Sequence, residues 1–283
     1  MLKILSGLAL AAGLAAGATA AAAPADPAPV IAAERAFAAR AGEVGVARSF
    51  LGFMADDAIV FAPDPTSARA VYGARPPAKT PKEGGTLLAW WPNWAGIARS
   101  GDLGFTTGPA EVNGKRAAIY FTVWRRQPDG AWRWVYDGGA DGDASTAPGP
   151  GARVAALPGG DPAPLDPALA FGQVQAAEVA LAARATTDVP AAYTSVLAPD
   201  AHMQGSPLAP AATPAAVARE LAARPVAIDF SALGGGASRA GDLAWTYGDA
   251  RWAGGRGHYV RIWQRRAGVW ALVFDQILAV TPG

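Results

Sequence analysis

The sequence predicts an α+β protein of two tandem domains, each with amino-terminal helices followed by a strongly curved antiparallel sheet. Three observations carry this. Four matched segments occur twice, in the same order and at nearly constant offset. Within each copy, apolar residues first recur at helical spacing and then fall into strand-length runs separated by turn residues. A segment rich in Gly, Pro, Ala and Asp separates the copies.

Taken in order, residues 1–23 read as an export signal. Lys3 precedes an apolar run from Ile4 to Ala16, and Ala18-Thr19-Ala20 supplies the small residues that signal peptidase reads. The run is shorter than the ~20 residues of a membrane span, so no stable membrane insertion is expected after cleavage. The expected location is outside the cytoplasm, periplasmic in a diderm host. The first domain is expected over residues 30–139. Val30, Glu34, Phe37 and Ala41 mark one face of a helix, and a second helix runs from about Val44 to Met54. Strands follow near residues 58–62, 86–91, 103–111, 117–127 and 131–136, with Asn113-Gly114 as the clearest hairpin turn. Residues 140–165 read as a linker. The second domain, residues 166–281, opens on a helix carrying Phe171, Val174, Glu178, Leu181 and Ala185.

The repeat is visible residue by residue. Ser100-Gly101-Asp102-Leu103 returns as Ala240-Gly241-Asp242-Leu243. The run from Ile119 to Asp137 returns as the run from His258 to Asp275, matching Tyr120 with Tyr259 and Trp124 with Trp263. Glu34 returns as Glu178, and the ADDA that ends at Ala58 returns as the APDA that ends at Ala201.

Composition removes several function classes. Lys and Arg number 24 against 23 Asp and Glu, so there is no basic excess for nucleic-acid binding. With no cysteine, disulfides, thiolate catalysis and Cys-based zinc sites are excluded. Only His202 and His258 could serve as imidazole ligands, and their spacing does not specify a metal site. The GPAEVNGK run at Gly108–Lys115 has the wrong glycine spacing for a phosphate loop, and no cofactor motif is present.

Both copies resemble the nuclear-transport-factor-2-like superfamily, which includes SnoaL-like and ketosteroid-isomerase-like proteins. The resemblance rests on Glu34 in the first helix, Ala55-Asp56-Asp57-Ala58, Gly101-Asp102-Leu103-Gly104, and the closing strands Tyr120–Trp124 and Trp132–Asp137. It implies a cone-shaped domain with an apolar pocket in its mouth. It also implies where an isomerase would keep its proton-abstracting Asp: directly before a Pro, a position held here by Ala62, with Gly205 at the matching count in the second copy. The second oxyanion donor of such enzymes would fall near Thr122 and Arg261. Those residues cannot run that mechanism.

The candidate ligand-binding residues are Glu34, Trp90, Trp91, Tyr120 and Asp137 in the first copy, and Glu178, Tyr259 and Asp275 in the second. Each glutamate lies on the apolar face of its helix, where a carboxylate needs either a partner or a wet pocket. Arg261 is available as a partner for Glu178 only. Trp90, Trp91 and Trp94 cluster around Pro92, as for a pocket mouth or a domain interface. Asp137 and Asp275 end the last predicted strand, facing a ligand or capping a turn.

Three readings remain open. The first is an exported, non-catalytic protein binding a small, mostly apolar molecule in a cone pocket. The second is an interaction module with plugged pockets, its copies paired within one chain or as a homodimer. The third is an isomerase, lyase or hydrolase using Glu34 or Asp137 as base, which requires the two acids to converge in a closed pocket.

Overall fold

A computed structural model describes residues 25–76 and 78–281. The export-signal segment lies outside the described residues. Among those residues no helix is long and apolar enough to cross a membrane.

The first half opens with α1 (Ala28–Val44), whose buried face is Val30, Glu34, Phe37 and Ala41. The second helix, α2 (Val46–Phe53), begins at once, because Gly45 at φ 85° turns the chain. The strands are β1 (Met54–Phe61), β2 (Pro65–Ser67), β3 (Leu88–Trp90), β4 (Trp94–Ile97), β5 (Leu103–Val112), β6 (Lys115–Arg126), β7 (Trp132–Ala140) and β8 (Ala155–Ala156). A short helix, α3 (Ala68–Gly73), is capped by the Ser67 hydroxyl. The second half repeats the plan with α4 (Pro167–Ala185), α5 (Val189–Thr194), β9 (Leu197–Gln204), α6 (Pro214–Ala223), β10 (Asp229–Ala237), β11 (Leu243–Trp252), β12 (Gly255–Arg266) and β13 (Val269–Ala279).

The α+β class holds, with one difference. Each sheet is mixed rather than wholly antiparallel: β1 pairs parallel to β7, and β9 pairs parallel to β13. The long final strands are antiparallel neighbours in the order β5-β6-β7 and β11-β12-β13. They overrun their expected ends, so Asp137 and Asp275 sit within strands, opposite Thr122 and Arg261, rather than at a turn. The segment expected as a linker is partly built into the fold. Its β8 pairs with β4, and Leu157 is buried in the first core.

Alternation along β6 sends Tyr120, Thr122 and Trp124 toward the helices, and Phe121 and Val123 to the opposite face. That opposite face meets its counterpart in the second half. Phe121 stacks on Phe274 with ring centroids 3.9 Å apart and 9° between planes, and Trp94 stacks on His202 at 3.8 Å. Val260, Ile262 and Val273 join the same apolar core as Phe121, Val123 and Val135. The repeated turns exchange matching bonds: Arg99 N–H donates to Asp242 (3.0 Å), and Arg239 N–H donates to Asp102 (3.1 Å). Residue i meeting j while j′ meets i′ is the signature of a two-fold contact, here drawn within one chain.

Candidate functional site: an open cavity and a filled one

Glu34 is buried on α1, and among the described residues no cation pairs with it. Its carboxylate accepts from Trp90 Nε1 (2.5 Å), Trp124 Nε1 (2.9 Å) and the Thr106 hydroxyl. Burial pushes its pKa up, although these three donors and Thr122 oppose the shift. Glu178 occupies the matching place on α4 and receives two matching donors, Thr246 Oγ1 (2.5 Å) and Trp263 Nε1 (2.8 Å), while its third, Tyr259 Oη (3.3 Å), takes the part that Trp90 plays for Glu34.

The two halves part at one strand position. In the first half Thr122 donates from Oγ1 to Asp137 Oδ2 at 2.8 Å. In the second half the same position is Arg261, fully buried, and its fork pairs Glu178 through Nη1 and Asp275 through Nε (2.6 Å). Arg261 Nη2 also donates to Tyr193 Oη at 2.7 Å. Its guanidinium lies 3.9 Å from the Tyr259 ring centroid and 4.3 Å from that of Phe230. Arg224, at the end of α6, closes the network with Nη1 2.5 Å from Asp275 Oδ2 and Nε 3.4 Å from Glu220. Burial alone would raise the Asp275 pKa, but the Arg224 and Arg261 charges hold it below the ordinary carboxylate range. Glu178, Tyr259 and Asp275, expected at a ligand, are instead bound to one another through Arg261, because a guanidinium fills the space that Thr122 leaves empty.

That space in the first half is a cavity of about 370 Å³ between the sheet and the turn of α2 and α3. Phe50, Val60, Val71, Trp90 and Tyr136 give it apolar walls, and Leu278 from the second half completes one side. Asp137 lines it. One carboxyl oxygen is held by Thr122, and the other has no hydrogen-bond partner among the described residues. Burial, reinforced by the nearby Glu34 and opposed by the Thr122 hydrogen bond, pushes the Asp137 pKa well above its usual value and so favours the protonated form, which can donate. Tyr120 and Tyr136 also line the cavity, with buried hydroxyls that find no hydrogen-bond partner among the described residues. Ala62 lies in the wall as well. The place that the resemblance gives to a proton-abstracting Asp therefore presents a methyl group. Its second-half match, Gly205, has φ 116°, and a Cβ there would come within 2.1 Å of the Ile277 carbonyl oxygen.

Of the first-half candidates, Trp90, Tyr120 and Asp137 line the cavity. Glu34 lies behind Trp90 and Trp124 and does not line it, so the two acids do not converge in one pocket. The tryptophan cluster divides three ways. Trp90 meets Glu34 and the cavity. Trp91 leaves the cavity, donating from Nε1 to the Pro148 carbonyl (2.9 Å) beneath the Arg116 guanidinium. Trp94 packs between the halves. Sequence reasoning missed Tyr72, Arg75 and Tyr136 at the cavity, and Tyr193, Glu220 and Arg224 in the network. Only the Glu220–Arg224 spacing of four on a helix was a readable signal. Among the described residues, no group of His, Asp and Glu could hold a metal.

No family model matches the chain, and no curated protein matches it. Similar solved structures are single small chains. One is a protein of unknown function from the DUF3225 family of Pectobacterium atrosepticum, 16% identical, with 40% of this chain and 93% of that one covered and a TM-score of 0.34. Another is a cystatin-like protein of unknown function from Nostoc punctiforme, 14% identical, covering 41% and 96%, with a TM-score of 0.33. A third, from Streptomyces avermitilis, is described as a candidate dehydratase of the NTF2-like family, 16% identical, covering 41% and 99%, with a TM-score of 0.34. The decisive features are in this chain itself: the first strand returning parallel to the last, and helices seated inside the bent sheet. Each half is a mixed sheet with its helices packed against it, the α+β arrangement that the sequence resemblance implies. That fold hosts many activities, so function rests on the cavity.

Proposed function

We propose that this protein binds a small, mostly apolar molecule in the cavity of its first half, while its second half is a filled copy that supports the first. The observation that carries this reading is the exchange of Thr122 for Arg261: the same cone is open in one half and occupied by an ion network in the other. Asp137 supplies the polar anchor. As a neutral acid it donates to a carbonyl or hydroxyl oxygen of the ligand, while the aromatic walls bury the remainder. The raised pKa of Asp137 suits donation to a ligand oxygen better than proton abstraction. The amino-terminal pattern supports export, which would place this binding outside the cytoplasm.

The test is a pair of measurements on the protein as isolated and on Ala118→Phe, which puts a ring into the cavity from its wall. Native mass spectrometry of the wild type should show an adduct lost on activation, or a panel of small aromatic ketones and alcohols should raise the melting temperature. Ala118→Phe should abolish both with its circular dichroism unchanged. An apo mass with no stabilisation by the panel would favour the second reading, an interaction module built on the sheet-to-sheet contact.

A further inference from the structure

The cavity of the first half continues past its mouth. Val46, Tyr72 and Arg75 line both this cavity and an adjoining depression of about 500 Å³ formed by the start of α2 and the chain after α3. The two ends differ in chemistry. The inner end is lined by the buried acid Asp137, with Glu34 buried behind Trp90, and among the described residues the one cation that reaches the cavity is Arg75 at its outer side. The outer depression is bordered by Arg48, Arg75 and Lys79. None of these three makes an ion pair among the described residues. Glu83 is close enough to feel the Arg48 charge but makes no ion pair with it, and its Oε2 accepts from the backbone N–H and the hydroxyl of Thr80, each at 2.9 Å. Arg75 marks the seam. Its guanidinium lies 4.7 Å from the centroid of the Tyr72 ring, and that ring is a wall of the inner cavity.

A molecule filling both spaces meets apolar walls and a neutral acid at one end, and unpaired positive charge at the other. An acidic group could not be seated at the inner end, where an unpaired buried carboxylate is strongly disfavoured beside Glu34. At the mouth the same group would meet Arg75 while staying partly hydrated, and the fork of arginine suits a carboxylate. We infer that the ligand is an amphipathic organic acid, with its apolar body inside the cone and its carboxylate at the mouth against Arg75, under the added field of Arg48 and Lys79. This rests on the cavity being a binding site, and it specifies the class of molecule bound there.

Calorimetric titration of the full chain with 4-phenylbutyrate and with its neutral isostere 4-phenylbutanamide separates the two claims. The acid should bind about two- to fivefold more tightly at low ionic strength, the scale of one partly exposed ion pair, and the advantage should shrink at high salt. Arg75→Gln should remove most of that preference, weakening the acid more than the amide, and Arg75→Lys should restore part of it. Equal affinity for acid and amide would overturn the inference while leaving the cavity reading intact. Binding of neither would overturn both. An acid preference that survives Arg75→Gln combined with Arg48→Gln and Lys79→Gln would also overturn the inference.

Discussion

Replacing Glu34 by Gln should produce a stability change whose sign depends on pH. Glu34 is buried, accepts three side-chain hydrogen bonds and pairs with no cation among the described residues, so its pKa in the folded protein is raised by burial. Its unfolded value is close to 4.5. Between those two values the folded protein holds a proton that the unfolded chain has released. Stability therefore falls as pH rises through that window, by up to about 1.4 kcal/mol per pH unit. The amide introduced by Glu34→Gln does not titrate, so this limb disappears. The substitution has its own cost, because an amide N–H₂ replaces one accepting oxygen and leaves a buried donor unmatched, at about 1–3 kcal/mol. The variant should thus be less stable than wild type at pH 4.5, and the gap should close or reverse as pH rises. Urea unfolding at pH 4.5, 5.5 and 6.5, followed by tryptophan fluorescence, reads this directly, because Trp90 and Trp124 sit on the carboxylate. A difference that stays constant over that range would refute the reasoning, since it would mean Glu34 carries the same charge folded and unfolded.

The second half should respond in the opposite direction. Because the Arg224 and Arg261 charges outweigh burial and depress the Asp275 pKa, its contribution is present above the ordinary carboxylate range and is lost as pH falls through the folded value; Asp275→Asn should remove that acid limb in unfolding curves taken below about pH 4. Arg261→Met should destabilise by about 3–5 kcal/mol, the cost of leaving buried carboxylates without their partner, and a loss below about 1 kcal/mol in urea would contradict a closed network. Phe121→Ala and Phe274→Ala should each cost about 3–5 kcal/mol, and their double-mutant cycle should show coupling of about 0.5–1.5 kcal/mol. No coupling would mean that the stacked rings do not tie the halves together.

The cone architecture was legible because it depends on pattern. Helical spacing around Glu34 and Glu178, strand runs broken at Asn113-Gly114, and the doubled order of segments all follow from which side chains must leave water, and the structure keeps each of them. The partnership of Glu178 with Arg261 was legible for a related reason: a buried carboxylate needs a partner, and one copy carries a cation at the matching strand position. Strand ends were read too short, because the apolar run stops at Tyr136 while backbone pairing continues through Asp137 to Ala140. The parallel return of β1 onto β7 could not be read, since strand direction leaves no period in the sequence.

The candidate site was legible only in part. Trp90, Trp91 and Trp94 are near neighbours in sequence, yet they face a carboxylate, a carbonyl and another half of the chain, because strand alternation and the bend at Pro92 separate their directions. Arg224 lies far in sequence from Asp275 and from the Tyr193 ring that it meets. What the sequence by itself determined is the repeated plan and the need of its buried acids for partners, because solvation acts on each residue type wherever it is placed. Which cone stays open was decided only by tertiary structure. Whether a Thr leaves room or an Arg fills it depends on distances among helix, strand and ring that no single segment contains.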